Sequence, residues 1–200
     1  MRSVLLGIGL CLALAGCGAE PVWAPDEAVE AAVYRNDEPA SITLYTMVSN
    51  RSNEGAHSGL LINGSQRLMF DPAGSWYHRT VPERNDVHFG MTDRMLDFYI
   101  DYHARETFRV VEQTIEVSPE VAEQAIAAVQ GYGAVPKAMC GVSTSRILSS
   151  LPGFESIGRR AYPGRIMARF AELPGVQTDV IYQDDADNNS ATLVAQAAVE

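Results

Sequence analysis

Two short apolar runs separated by Asn63-Gly64-Ser65 constrain the fold of this chain more than any other feature. Residues 56–62 and 66–71 read as strands, and an Asn-Gly linker of this length is a strong hairpin signal. Asn and Gly reach the left-handed backbone that a tight antiparallel reversal needs. Two registers compete. With a two-residue loop, Ile62 faces Ser65 and His57 faces Phe70, and one face mixes His57, Leu61, Gln66, Leu68 and Phe70. With a three-residue loop, Ile62 faces Gln66 and His57 faces Asp71. Leu60, Ile62, Leu68 and Phe70 then share one face, while His57, Gly59, Leu61, Met69 and Asp71 share the other. The second register separates the faces better and is preferred. It sets an imidazole opposite a carboxylate, with Cβ atoms roughly 4.5–5.5 Å apart. Such a pair has two readings: a hydrogen bond that fixes the His57 tautomer and favours its protonated form, or an ordinary ion pair near a sheet edge, with Asp71 only opening the Asp71-Pro72 turn.

Other elements follow from pattern. Residues 26–35 read as a short helix behind Pro25, and Ser41–Ser49 (SITLYTMVS) as a strand rich in β-branched and aromatic side chains. Residues 72–90 read as one long loop. Thr92 caps a helix carrying Met95, Leu96, Tyr99, Ile100 and Tyr102. A strand over 106–117 leads to Ser118-Pro119, which opens a helix ending near Gly131. Further helices are expected over 140–151 and 163–173, and a last strand over 176–183. Strands dominate early and hairpins outnumber crossovers, which predicts an α+β fold with an antiparallel sheet packed against helices. Residues 26–183 form the expected single domain, followed by an acidic tail over 184–200 expected to be mobile.

The start of the chain carries a different signal. Arg2 precedes an almost unbroken apolar run to Leu14, too short for a comfortable membrane-spanning helix, followed by Leu14-Ala15-Gly16-Cys17. That ending has the form of a lipobox. The expectation is a lipoprotein signal peptide over 1–16, a lipid on Cys17, and a tether over 17–25. Plain secretion after Ala13-Leu14-Ala15 is the alternative. Gly18 after the cysteine fits outer-membrane sorting, so a lipid-anchored protein on the periplasmic face of a bacterial outer membrane is expected. Cys11 would leave with the signal and Cys17 would be acylated, leaving Cys140 as the remaining thiol. The formal net charge is −10 and Lys137 is the single lysine. This argues against nucleic acid and against a basic patch on anionic lipid, so the membrane would be reached through the anchor alone.

Cys140 falls in the first turn of its predicted helix, where unpaired N–H groups and the helix dipole favour thiolate. Cys140, Thr144, Ile147, Leu148 and Leu151 also share a helical face, which equally suits a buried, inert thiol. His78 and His88, with Asp86 between them, are spaced too loosely for zinc and read as surface histidines. No metal or cofactor is expected. His103 reads as a helix C-terminal residue favoured by the dipole. Trp76 and Tyr77 would line a cleft or seal a core edge. Arg159 and Arg160 would bind an anionic group or stay solvated.

The run Ala56-His57-Ser58-Gly59-Leu60-Leu61-Ile62, then a second strand ending in a polar residue, then Met139-Cys140-Gly141-Val142-Ser143-Thr144-Ser145 late in the chain, resembles a known arrangement. It is similar to the circularly permuted NlpC-type branch of the papain-like enzymes, which includes lecithin:retinol acyltransferase relatives and several bacterial lipoproteins. The resemblance spans about residues 41–151. It implies a permuted papain-like fold with Cys140 as nucleophile, His57 as base and Asp71 as its orienting partner. It also implies an oxyanion site from the Cys140 N–H and a side-chain donor, for which Tyr45 is the candidate. The implied chemistry is cysteine-dependent hydrolysis or acyl transfer on an amide, ester or thioester of a small molecule, peptide or lipid. The chain lacks an Asn-Cys-Glu run at the nucleophile, which speaks against retinyl or phospholipid acyl transfer. The rival expectation is an envelope lipoprotein that keeps this fold as a binding or assembly module without turnover.

Overall fold

The computed structural model describes residues 18–195. The apolar run expected to be a signal peptide and Cys17 lie outside them. Seven strands form one sheet in the order β4-β5-β3-β2-β1-β6-β7, every neighbouring pair antiparallel. In chain order the elements are α1 (Asp26–Ala31), β1 (Ser41–Ser49), β2 (Gly55–Asn63), β3 (Arg67–Phe70), β4 (Glu83–Arg84) and β5 (Val87–Phe89). They continue with α2 (Asp93–His103), β6 (Phe108–Glu116), α3 (Pro119–Gln130), α4 (Cys140–Leu148), a 3-10 turn (Glu155–Ile157), α5 (Pro163–Phe170), β7 (Gln177–Ile181) and α6 (Asn189–Ala195). The α+β class and the antiparallel sheet are thus as expected from the pattern.

The sheet is covered on both faces. Ile42, Leu44, Leu60, Ile62, Leu68 and Phe70 pack against the apolar sides of α3, α4 and α5. Tyr45, Met47, Leu61 and Met69 pack on the opposite face with Met95, Tyr99 and Tyr102 of α2. Central β1 is therefore buried on both sides along almost its whole length, which explains why SITLYTMVS shows no polar alternation. Thr92 caps α2 by accepting from the Met95 N–H, and Ser118 caps α3 by accepting from the Val121 N–H.

The hairpin departs from its expected register. The loop is Gly64–Gln66, closed by Asn63 facing Arg67, so Leu60 faces Phe70 and Ile62 faces Leu68. Tertiary contacts decide this. The Asn63 side chain donates to the carbonyls of Glu38 and Pro39 at 3.2 and 3.0 Å, which draws it into the strand. Ser65 at the tip is held by Glu123 of α3, its N–H at 2.6 Å and its hydroxyl at 3.0 Å. His57 therefore does not face Asp71; continuing the register sets Gly59 level with Asp71, and His57 lies on the diagonal. A slip of two residues leaves every side chain on its expected face, so imidazole and carboxylate still share one side.

Three other segments differ from the sequence reading. The supposed long loop over 72–90 contains the β4–β5 hairpin, whose strands of two and three residues are too short for a periodic signal. Residues 22–24, within the expected tether, dock on that hairpin: Ala24 N–H donates to Glu83, Asn85 N–H donates to Val22, and the Arg84 guanidinium lies 4.6 Å from the Trp23 ring centre. The described part of the acidic tail, 184–195, packs on the domain as well. Asp185 pairs with Arg105 at 3.4 Å, Asn189 donates to the Tyr102 carbonyl at 2.8 Å, and Leu193 packs on the α2 side. Among the described residues no helix is long and apolar enough to cross a membrane.

Phe170 of α5 has no exposed surface and joins Phe154 in the core beside β1 and β2. Phe170→Ala is expected to cost about 3–5 kcal/mol, measured by urea unfolding, with an unchanged m-value if only packing is lost.

Candidate active site

β3 leaves β2 after Phe70. From there the Asp71 N–H donates to the Asp86 carbonyl at 2.8 Å, and the chain reverses through Pro72 and Ala73, with Gly74 N–H donating to the Asp71 carbonyl at 3.0 Å. Ala73 sits at φ 57°, a left-handed conformation a glycine would adopt more readily. Asp86 holds this turn: its carboxylate accepts from the Ala73 N–H at 2.9 Å and from the Val135 N–H at 2.7 Å. One side chain thereby ties the Asp71 turn to the segment leading into Cys140.

The Asp71 carboxylate is fully buried and accepts two hydrogen bonds on Oδ1, from His57 Nε2 at 2.6 Å and from the Tyr99 hydroxyl at 2.8 Å. Close approach requires two glycines. A Cβ on Gly59 would stand 2.6 Å from the Tyr99 oxygen, and one on Gly74 would stand 1.8 Å from Asp71 Oδ2. Neither position tolerates a side chain without moving the carboxylate or its donor.

Cys140 opens α4 on the other side of the sheet and is 7 % exposed. Its helix packs unusually close to its neighbours because the run Gly-Val-Ser-Thr-Ser is small and polar. A Cβ on Gly141 would stand 2.2 Å from the Ala161 carbonyl oxygen. The Ser58 hydroxyl donates to Thr144 at 3.2 Å, which fixes α4 to β2. Ser145 donates to the Arg160 carbonyl at 2.8 Å and accepts from its N–H at 2.9 Å. So placed, the sulfur interacts with the His57 imidazole and with the N–H groups of Ser58 and Gly141. Because Nε2 of His57 is turned to Asp71, Nδ1 is the nitrogen left for the thiol.

Burial alone would raise the thiol pKa; His57 and the two N–H groups outweigh it and bring it below the usual value. Burial would likewise lower the His57 pKa, but the Asp71 carboxylate, and then the sulfur, push it up to about 10. Burial would raise the Asp71 pKa, and the charge and hydrogen bond of His57 instead hold it well below the ordinary carboxylate range. The arrangement favours a protonated His57 beside the Asp71 carboxylate and makes Cys140 easier to ionise than a free thiol.

Two further imidazoles surround this pair. His103 is no simple dipole partner at a helix end: it stacks on His57 with ring centres 5.9 Å apart and planes 14° apart, and its Nδ1 hydrogen-bonds the Tyr99 carbonyl at 2.8 Å. His88 is not on the surface as expected but buried on β5, edge-on to Trp76 at 5.0 Å, with Nδ1 lacking a hydrogen-bond partner. Burial lowers both pKa values to about 4. Trp76 seals the core edge against His88, Phe98 and Tyr99, whereas Tyr77 is exposed. His78 is half-buried: its Nδ1 bonds Thr80, its carbonyl accepts from the Val81 N–H at 3.0 Å, and its ring lies edge-on to Phe98 at 5.8 Å.

The structure thus brings Cys140, His57 and Asp71 together. Tyr45 is fully buried, edge-on to Tyr99 at 5.9 Å and level with Glu112 of β6, and its hydroxyl has no hydrogen-bond partner among the described residues. Those contacts support the floor of the site, and none directs the hydroxyl to Cys140. Cys17 lies outside the described residues. Tyr99, His103, Asp86 and Gly74 were not singled out from sequence as site residues; Tyr99 and His103 carry a signal only as an i, i+4 pair on the inward face of α2. A depression lined by His57, His103, Ser75, Tyr102 and Asn189 opens the imidazole pair to solvent. Compared with family models, with curated proteins and with solved structures, the chain has no match in any of the three.

The neutral buried histidines set an acid limit. A histidine whose folded pKa is lowered contributes stability above its unfolded pKa, near 6.5, and loses it as pH falls toward about 4. His57 has the opposite sign: its contribution is full below 6.5 and fades as pH rises toward about 10. Melting temperature is therefore expected to fall between pH 6.5 and 4. His88→Phe, which removes an unsatisfied buried nitrogen, is expected to leave stability at pH 7.5 unchanged or higher. It should also remove up to about 3 kcal/mol of the acid-side loss, read from unfolding curves at each pH.

Proposed function

We propose that this chain is a cysteine-dependent hydrolase or acyltransferase of the permuted papain-like kind, acting from a lipid anchor on Cys17 in the bacterial envelope. The observation that carries the reading is the coupling of one thiol, one imidazole and one buried carboxylate, with His57 Nε2 2.6 Å from Asp71 Oδ1 and Cys140 close enough to His57 to interact with it. Support for the fold reading comes from the order of elements: histidine on an early strand, carboxylate at the end of the next, cysteine at the start of a late helix, all against an antiparallel sheet.

In this mechanism the Cys140 thiolate attacks the carbonyl carbon of an amide, ester or thioester. The tetrahedral oxyanion forms near the start of α4, where the Cys140 N–H has no intrahelical acceptor and can donate. The His57 imidazolium gives its proton to the departing nitrogen, oxygen or sulfur as the carbon–heteroatom bond breaks, leaving an acyl thioester on Cys140. Neutral His57 then removes a proton from water or another acceptor, which attacks the thioester and restores the thiolate. Asp71 keeps the ring oriented throughout, and Tyr99 keeps Asp71 in place.

Iodoacetamide labelling at pH 7 tests the reading. Cys140 is expected to react at least tenfold faster than an exposed unactivated thiol. His57→Ala should slow it to that reference rate or below, and Asp71→Asn should fall between. Tyr99→Phe, which loses one bond to Asp71, should slow labelling severalfold while the protein stays folded by circular dichroism. A Cys140 that labels slowly and ignores His57 overturns the enzymatic reading and favours the binding module. Metabolic labelling with a fatty acid, lost in Cys17→Ser, tests the anchor separately.

A further inference from the structure

We propose that His57, Asp71 and His103 form a reversible binding site for a borderline divalent cation of the zinc class, which occupies the imidazole side of the site and silences the thiol. One ligand atom from each of the three lies within 4.8 Å of the others. Zinc bound to nitrogen and oxygen at about 2.0–2.1 Å holds its ligands roughly 3.4 Å apart. His103 has to close in by about 1.4 Å at most, while His57 and Asp71 move slightly apart as the ion replaces the proton they share. That proton leaves to water.

Three features prepare the site. The Nδ1 of His103 is already engaged by the Tyr99 carbonyl at 2.8 Å, which fixes the ring and leaves Nε2 as its free ligand atom. Asp71 is oriented by the Tyr99 hydroxyl through Oδ1, while its buried Oδ2 has no hydrogen-bond partner. Both imidazoles border the same solvent-open depression, which gives an entry path and a fourth position for water. Two histidines and one carboxylate with an open position is a donor set that such cations accept.

The geometry also says what the ion does not bind. Nε2 of His57 faces Asp71 and is the atom the ion takes, which leaves Nδ1 for the thiol, and Cys140 is not among the residues whose ligand atoms cluster within 4.8 Å, so sulfur is outside the ligand set. The consequence for Cys140 is indirect: once Asp71 is spent on the metal and His57 is neutral, the thiolate loses its counter-ion. Binding is independent of the enzymatic reading, and only this loss of reactivity rests on it.

The test uses the purified full-length protein and zinc chloride. Calorimetry is expected to give one zinc per chain, with affinity unchanged within about twofold in Cys140→Ser and at least tenfold weaker in His103→Phe. X-ray absorption at the zinc edge of the unaltered protein, which needs no variant to fold, should show nitrogen and oxygen neighbours alone. One equivalent of zinc should slow iodoacetamide labelling of Cys140 at least tenfold, with recovery on adding a chelator. A sulfur neighbour at the edge, loss of binding in Cys140→Ser, or full affinity in a folded His103→Phe would each overturn the proposal. Zinc bound as expected to a chain whose thiol was never reactive would leave this site standing and remove the enzymatic reading alone.

Discussion

The carboxylate of Asp71 has no exposed surface, and burying a charge costs several kcal/mol unless it is paired and hydrogen-bonded. Much of the local architecture answers that cost. His57 supplies opposite charge at 2.6 Å, Tyr99 supplies a neutral donor at 2.8 Å, and both converge on one oxygen. For the donors to reach it, the sheet has to open beyond Phe70 and two positions have to lack side chains. Gly59 leaves room for the Tyr99 hydroxyl, and Gly74 lets the turn close directly against the carboxylate. The left-handed Ala73 and the Asp86 clamp belong to the same device, since both fix the turn that aims Asp71 inward. A pair broken from either side would leave the other half stranded, a loss usually of about 3–5 kcal/mol.

The second consequence is that groups from opposite faces of one sheet share a site. Asp71, Tyr99 and His103 belong to the α2 face, whereas Cys140 comes from α4 on the other. They meet beside Ser58, whose hydroxyl holds Thr144 and whose N–H faces the sulfur. Such a meeting depends on helix-to-strand distance. Gly141 against Ala161, together with the buried hydroxyls of Ser143, Thr144 and Ser145, lets α4 approach closely enough. The polar run after Cys140 is therefore a packing feature as much as a chemical one.

Much of this was legible in the residues. The strand Ser41–Ser49, the capped helices after Thr92 and Ser118, and the helix opening at Cys140 follow from local signals that tertiary contacts reinforce. The face shared by His57 and Asp71 was legible too, because side-chain alternation survives a slip of two residues. The register itself was not: Asn63 looks like a turn residue until Glu38 and Pro39 offer it partners, and Ser65 owes its place to Glu123. Strands as short as Glu83–Arg84 carry no period, so the hairpin in the long loop was invisible, and with it the edge on which the tether docks. His88 shows the same limit. In an apparent loop, spaced too loosely from His78 for zinc, it reads as surface, yet the hidden strand buries it. Composition made the tail look mobile; Arg105, paired with Asp101 and Asp185 and donating to Thr192, holds it down.

Three imidazoles surround one carboxylate, yet the structure distinguishes them sharply. His57 gains more from its direct bond to Asp71 than burial removes, and keeps its proton to about pH 10. His88 and His103 feel the same carboxylate only at a distance, burial wins, and both are neutral above about pH 4. A charge on His103, stacked 5.9 Å from His57, would compete for the single compensating carboxylate. Keeping it neutral therefore leaves one positive charge matched by Asp71 and faced by one ionisable sulfur. Among the groups that lower the Cys140 pKa, that one ring comes first and the N–H groups of Ser58 and Gly141 follow, so whatever takes the ring away from Asp71 reaches the thiol as well.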